Sequence, residues 1–78
     1  MSWPTAFPQP IVLKDGRVLA QLGEAGQFIL RLPQNQQDTL VWRYAAALLI
    51  KASHTELPAD IFMAMMQMRR ALLTGGYL

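Results

Sequence analysis

The chain has 78 residues, of which 53% are hydrophobic and only 15% are charged, and it has no cysteine. This length allows one domain with a thin core, and the lack of cysteine excludes both a disulfide framework and a thiolate metal site. The formal net charge of +2 is too small to indicate a strongly basic nucleic-acid-binding protein. Because so much apolar side chain is difficult to bury in one small domain, the composition predicts self-association.

The first ten residues contain three prolines and no cation. They lack the charged and apolar regions of a secretory signal. Elsewhere, no apolar run reaches the roughly 20 residues that a membrane-spanning helix needs. We therefore expect residues 1–10 to form an extended arm, and the protein to be cytoplasmic and without a membrane span.

The sequence IVLKDGRVLA, residues 11–20, predicts a β-hairpin. The dipeptide Asp15-Gly16 favours a two-residue type I′ turn, because both central residues of that turn need positive φ. Such a turn pairs Lys14 with Arg17 and fixes the register of the strands. Alternate residues of each strand then face the core. The predicted apolar face consists of Ile11, Leu13, Val18 and Ala20.

The sequence QLGEAGQFILRLP, residues 21–33, is compatible with a strand or with a helix. As a strand, residues 28–32 alternate between apolar and polar, apart from one isoleucine. As a helix, apolar residues recur every three or four positions, and Gly23 serves as the N-cap. We predict a helix over residues 23–32, ended by Pro33, and keep the strand as the alternative.

Two longer helices are predicted in the second half of the chain. The first spans residues 36–52, after Asn35 and Asp38, which resemble an N-terminal capping pair. The second spans residues 58–74, because Pro58 suits a first helical turn and a pair of glycines follows its end. Both helices are apolar on more than one face, which is typical of a central helix or of one covered by a partner. The whole chain is therefore predicted to be a single α+β domain with the order ββααα.

In this order, the predicted segments resemble those of a known group of proteins. The segments that carry the likeness are the hairpin VLKDGRVLAQL, the stretch EAGQFILRLP and the helix WRYAAALLIKA. They are similar to segments of short alphaproteobacterial proteins of unknown function, common in rhizobia and their relatives, over residues 3–72. The resemblance implies a hairpin followed by three helices, with residues 23–32 helical, and it implies no activity. Gly26 departs from the pattern of the group, which tends to have arginine there.

The sequence offers little material for catalysis. His54 is the only histidine, and it lies in a predicted loop beside Ser53 and Thr55. Working triads bring a nucleophile and a base together from distant segments, so these adjacent residues are a poor catalytic candidate. The five acidic residues lie at turns or near helix starts and match no metal-binding spacing. We therefore expect that the protein is not an enzyme and has no metal or cofactor.

Apolar residues on the last two predicted helices are the best candidates for contact with another chain. The methionines between positions 63 and 68 are suited to filling a core or to forming a surface that accepts a partner. We predict a homodimer, formed through the last two helices or through the edge of the hairpin. The other possible partner is a protein or a helical peptide. The candidate interface residues are Trp42, Ile50, Met63 and Met66.

The alternative function is that of a small nucleic-acid-binding regulator with a dimeric basic surface. Phosphate contacts supply most non-specific affinity, so such a protein needs several cations on one face. The candidate anion contacts are Lys14, Arg17, Arg69 and Arg70. Structural roles are favoured for these cations, because arginine near a helix C-terminus stabilises the helix dipole and a cationic hairpin discourages edge aggregation.

Overall fold

The structure, a computed structural model, describes residues 2–78. It contains a two-stranded antiparallel sheet followed by helices, so the predicted α+β class is confirmed. The described residues form four helices rather than three, because the middle predicted helix is divided. The strands are β1 (Ala6–Val12) and β2 (Val18–Gln21), and the helices are α1 (Leu22–Leu30), α2 (Gln34–Gln37), α3 (Leu40–Thr55) and α4 (Pro58–Thr74).

Strand β1 begins within the predicted N-terminal arm. Ala6 pairs with Gln21 at the far end of the sheet from the hairpin loop. The pairing is irregular between Ala6 and Ile11, and this interval contains Pro8 and Pro10, which have no N–H group to donate to a ladder. The second half of the predicted arm is therefore part of the hairpin.

The hairpin has a three-residue loop rather than the predicted two-residue turn. The Leu13 N–H donates to the carbonyl oxygen of Arg17 at 2.8 Å, and the Gly16 N–H donates to that of Leu13 at 3.0 Å. Gly16 has a φ of 90°, a left-handed value that glycine adopts at no steric cost. A turn followed by a left-handed residue is typical of three-residue hairpin loops.

The longer loop shifts the register by one residue from the predicted one. Ile11 pairs with Leu19, and Val12 pairs with Val18. A one-residue shift exchanges the two faces of a strand. As a result, Leu19 is buried and Val18 is 46% exposed. The predicted inward position of Val18 is wrong, whereas those of Ile11 and Leu13, which are both buried, are confirmed.

The segment after the hairpin is helix α1, so the helical prediction is confirmed and the strand alternative is wrong. Glu24 Oε1 accepts hydrogen bonds from the N–H groups of Ala20 at 2.7 Å and Gln21 at 3.0 Å. These bonds hold the chain at the point where the strand becomes a helix. The N-cap is Gln21 rather than Gly23. The Gly23 N–H instead donates to the carbonyl oxygen of Trp3 at 2.9 Å, which ties the start of the chain to α1.

The predicted helix over residues 36–52 is divided at Thr39. This residue has an extended conformation, with φ −72° and ψ 151°. Its hydroxyl donates to the carbonyl oxygen of Gln36 at 2.7 Å, which closes the short helix α2. Asp38 is the C-cap of α2 rather than part of a helix start. The predicted capping pair of Asn35 and Asp38 is therefore wrong.

The two long helices are joined by a connection of two residues. Helix α3 continues to Thr55, so His54 lies in its last turn rather than in a loop. Glu56 has a left-handed φ of 54°, which ends α3. Helix α4 then spans Pro58–Thr74, as predicted.

The core lies between the hairpin, α1 and the pair of long helices. An aromatic cluster joins α1, α3 and the segment after α4: the ring of Phe28 is 5.1 Å from that of Tyr77 and 5.9 Å from that of Trp42, measured between centroids. The largest side chains that are completely buried are Ile11, Leu22, Leu49, Met68 and Leu72. None of the helices in residues 2–78 is long and apolar enough to cross a membrane.

Candidate functional site

The four predicted interface residues do not form one surface. Trp42 is only 3% exposed, since its ring packs in the core against Phe28 and Tyr77. Its indole is therefore not available to a partner while the chain is folded, and the prediction that places it at an interface is corrected. The remaining candidates, Ile50, Met63 and Met66, are all about half exposed.

Ile50 lies on the side of α3 that faces α1, away from the exposed methionines of α4. It lines an open cleft of about 1150 Å³ beside α1, together with Leu30, Trp3 and Ala46. Trp3 packs closely over the start of α1 here. A Cβ atom at Gly23 would lie only 3.2 Å from the Trp3 carbonyl oxygen. The cleft is lined by apolar residues of α1 and α3 together with the polar residues Glu24 and Gln27 of α1, and it does not contain Met63 or Met66.

The outward side of α4 carries the longest run of exposed apolar side chains in the described residues. We define the outer stripe of α4 as Phe62, Met63, Met66, Arg69, Arg70 and Leu73. The four apolar members are between 47% and 65% exposed, although the opposite side of the same helix is buried in the core. An α-helix that is apolar on both sides in this way is typical of one with a second packing partner.

A groove between α3 and α4 extends the outer stripe sideways. It has a volume of about 520 Å³, and Tyr44 and Leu48 form its α3 side. Tyr44 is 54% exposed. The groove therefore joins an exposed aromatic ring to the methionines of α4, and such flexible side chains are able to adapt their shape to a partner.

Of the predicted anion contacts, Arg17 is the most engaged within the chain. Its Nε lies 2.7 Å from Asp15 Oδ2, and its guanidinium carbon lies 5.3 Å from the centroid of the Phe28 ring. The pKa of Asp15 lies below its usual value for two reasons. The main one is that the Arg17 backbone N–H donates to Asp15 Oδ1 at 3.0 Å, and the second is the nearby guanidinium of Arg17. The positive charge of Arg17 is thus already matched by a carboxylate.

The other predicted anion contacts are exposed. Within residues 2–78, neither Arg69 nor Arg70 forms an ion pair. The Lys14 N–H donates to the carbonyl oxygen of Tyr77 at 3.0 Å, and Tyr77 follows α4 closely. The hairpin loop and the C-terminal end of α4 therefore lie at the same end of the molecule.

In the part of the chain that the structure describes, the hydroxyl groups next to His54 form hydrogen bonds with other residues. His54 itself is exposed, and its neighbour Ser53 is buried and donates its hydroxyl to the carbonyl oxygen of Ile50 at 2.6 Å. The hydroxyl of Thr55 donates to Asp60 Oδ2 at 2.6 Å. Both hydroxyls next to His54 are therefore occupied by acceptors. Within residues 2–78, no three acidic or histidine side chains come together as metal ligands.

Sequence reasoning did not include Phe62, Leu73 or Tyr44 among the candidate interface residues. A signal for the first two was present, because Phe62, Met66 and Leu73 are four and seven residues apart, a spacing that places them on one side of a helix. For Tyr44, the sequence does not indicate which side of α3 the core covers. Comparison of the chain with protein-family models, with curated proteins and with solved structures found no match.

Proposed function

We propose that this chain is a small, non-catalytic interaction protein that acts as a homodimer. The observation that carries the proposal is the outer stripe of α4, whose four apolar side chains are between 47% and 65% exposed. Contiguous apolar patches on a small protein mark sites of association with other molecules. The function follows from the surface, because an exposed stripe along a whole helix offers contact area but no reactive group.

The choice of a second copy as the partner is supported by the small size of the domain. A helix of 17 residues is about 25 Å long, and an equal helix from another copy is long enough to cover most of it. One helix face per copy gives an interface at the small end of specific protein complexes. We therefore expect dissociation constants in the micromolar range rather than a permanent assembly.

A test of this function uses sedimentation equilibrium with two matched substitutions. Met66→Glu places a charge in the outer stripe, and we expect it to weaken dimerisation by at least about tenfold, the factor that corresponds to roughly 1.4 kcal/mol. Leu30→Glu introduces the same charge at an exposed leucine in the cleft beside α1, and we expect the dimer to be retained. Circular dichroism checks that both variants are folded. A wild-type protein that stays monomeric throughout the micromolar range contradicts the proposal.

The alternative function is polyanion binding by the basic end of the molecule. It is favoured by the hydrogen bond between Lys14 and Tyr77, which brings the hairpin loop to the end of α4. It is opposed by the ion pair of Arg17 with Asp15, which removes one of the four predicted cations. Counterion release makes polyanion affinity strongest at low salt. Absence of binding to a mixed-sequence DNA duplex at low ionic strength would reject this alternative.

A further inference from the structure

The two ends of α4 carry opposite charges. Arg69 and Arg70 lie in its C-terminal half, whereas Asp60 lies in its first turn and Glu56 lies in the connection just before it. Asp60 is already occupied, because it accepts the Thr55 hydroxyl and lies 3.7 Å from Lys51 Nζ. Glu56 is exposed and, within residues 2–78, forms no ion pair. Within the described residues, one unpaired carboxylate therefore lies just before the start of α4, and two unpaired cations lie near its end.

The outward side of α4 also has the spacing of a helix-pairing seam. Ala59, Phe62, Met66, Arg69 and Leu73 are separated by three, four, three and four residues. This alternation is the a and d pattern of a heptad repeat, in which each side chain packs between residues of a facing helix. Three members of the seam are large and apolar, and all three are exposed in the single chain.

We infer that two copies of this chain pack α4 against α4 in antiparallel orientation, around a two-fold axis that passes opposite Ala64. The inference rests on the proposed homodimer and adds its geometry. In this arrangement Phe62 packs against the partner's Met66, and Met66 packs against the partner's Phe62. The small side chain of Ala59 leaves room for the aliphatic stem of the partner's Arg69.

The charges select the antiparallel orientation. A parallel pair places Arg69 and Arg70 of both copies side by side, so that like charges repel each other. In the antiparallel pair, Arg70 lies beside the start of the partner's α4, where the partner's Glu56 is within reach of a long arginine side chain. The contact occurs twice, because a two-fold axis repeats every contact.

A distance measurement between spin labels tests the orientation. The chain has no cysteine, so Thr74→Cys provides a single labelling site at an exposed position at the end of α4. In the antiparallel dimer this residue lies ten positions from the axis on each copy, so the two labels are about 30 Å apart along the helices, at about 1.5 Å per residue. In a parallel dimer they are separated only by the distance between helices and the label arms, under about 20 Å.

Charge exchange provides a second test on the same dimer. Arg70→Glu and Glu56→Arg each replace two attractive contacts by repulsive ones, and we expect each to weaken dimerisation about tenfold. The double variant Glu56→Arg with Arg70→Glu restores the attraction, so its affinity should return close to that of the wild type. Arg31→Glu, at the exposed arginine that caps the C-terminal end of α1, is the control and should leave the affinity unchanged.

The possible outcomes separate the inference from the function on which it rests. A label distance near 30 Å together with rescue in the double variant supports the antiparallel pair. A dimer with a short label distance, or with no rescue, overturns the orientation and leaves the homodimer standing. Absence of any dipolar coupling in a protein that sediments as a monomer overturns both.

Discussion

The methionines of α4 form two pairs with opposite surroundings. Met65 and Met68 are 5% and 0% exposed, whereas Met63 and Met66 are 51% and 47% exposed. All four lie within six consecutive residues of one helix, so neither composition nor helix propensity distinguishes them. Their different roles come from the direction in which each side chain leaves the helix.

This difference assigns separate tasks to the two sides of the helix. The buried pair contributes to folding of the single chain, since its side chains leave water when α4 packs on the hairpin and α3. The exposed pair remains in water after folding, and it loses that exposure only when another molecule covers it. Substitutions on the two sides should therefore change different measured quantities, stability on one side and association on the other.

The largest expected effect is on stability, from truncation of the buried pair. Met68→Ala leaves a cavity in the core, so we expect the free energy of unfolding to fall by about 2–5 kcal/mol. Met66→Ala removes the same atoms from the exposed pair, and as a surface substitution it should change the unfolding free energy of the single chain by under about 0.5 kcal/mol. Urea denaturation measures both values, at protein concentrations below the dissociation constant of the proposed dimer. Equal losses for the two variants would contradict the division of α4 into a core side and an outer side.

The sequence predicts the bounds of α4 well because its signals are local. Pro58 suits only the first turn of a helix, and Gly75 with Gly76 follows its end, so neither boundary depends on distant residues. The sequence predicts less well which side of the helix is buried. A spacing of three and four residues shows that one stripe is apolar, but a helix that is apolar all round does not reveal which stripe the core covers.

The errors in the other elements arise from contacts that are distant in sequence. Asp15-Gly16 is compatible with a two-residue turn and with a three-residue loop, and the choice depends on whether Val18 or Leu19 fills the core. Trp42 was a candidate interface residue because the sequence does not show its neighbours. Phe28 precedes it by 14 residues and Tyr77 follows it by 35, and only the fold brings these rings together.

A smaller effect is expected from oxidation, which distinguishes the core side of α4 from its outer side without any substitution. At protein concentrations below the dissociation constant of the proposed dimer, hydrogen peroxide should convert Met63 and Met66 to the sulfoxide several-fold faster than Met65 and Met68, because reaction requires access to the sulfur. The sulfoxide is polar, so mild oxidation should weaken dimerisation while the circular dichroism spectrum is retained. Tandem mass spectrometry assigns the modified positions. Equal rates at all four methionines would show that α4 opens from the core on the timescale of the reaction.

The smallest effect is expected from the exposed ion pair at the hairpin loop, which extends the contrast between core and surface to charged groups. Asparagine also suits a turn, so Asp15→Asn removes the charge of the pair with Arg17 while keeping the turn chemistry.

Because folding lowers the pKa of Asp15, its ionised form stabilises the folded state above the pKa of the unfolded chain. This contribution disappears as the pH falls through the lower pKa of the folded state. The wild type should therefore be slightly more stable than the variant at neutral pH, and the two should converge on acidification. Thermal denaturation across this pH range measures the difference, at protein concentrations below the dissociation constant of the proposed dimer. Glu56→Gln is the control for an exposed carboxylate that lacks an ion pair within residues 2–78 of the single chain. A difference that persists in acid would show that the Asp15 side chain acts through the hydrogen bond with the Arg17 backbone N–H rather than through its charge.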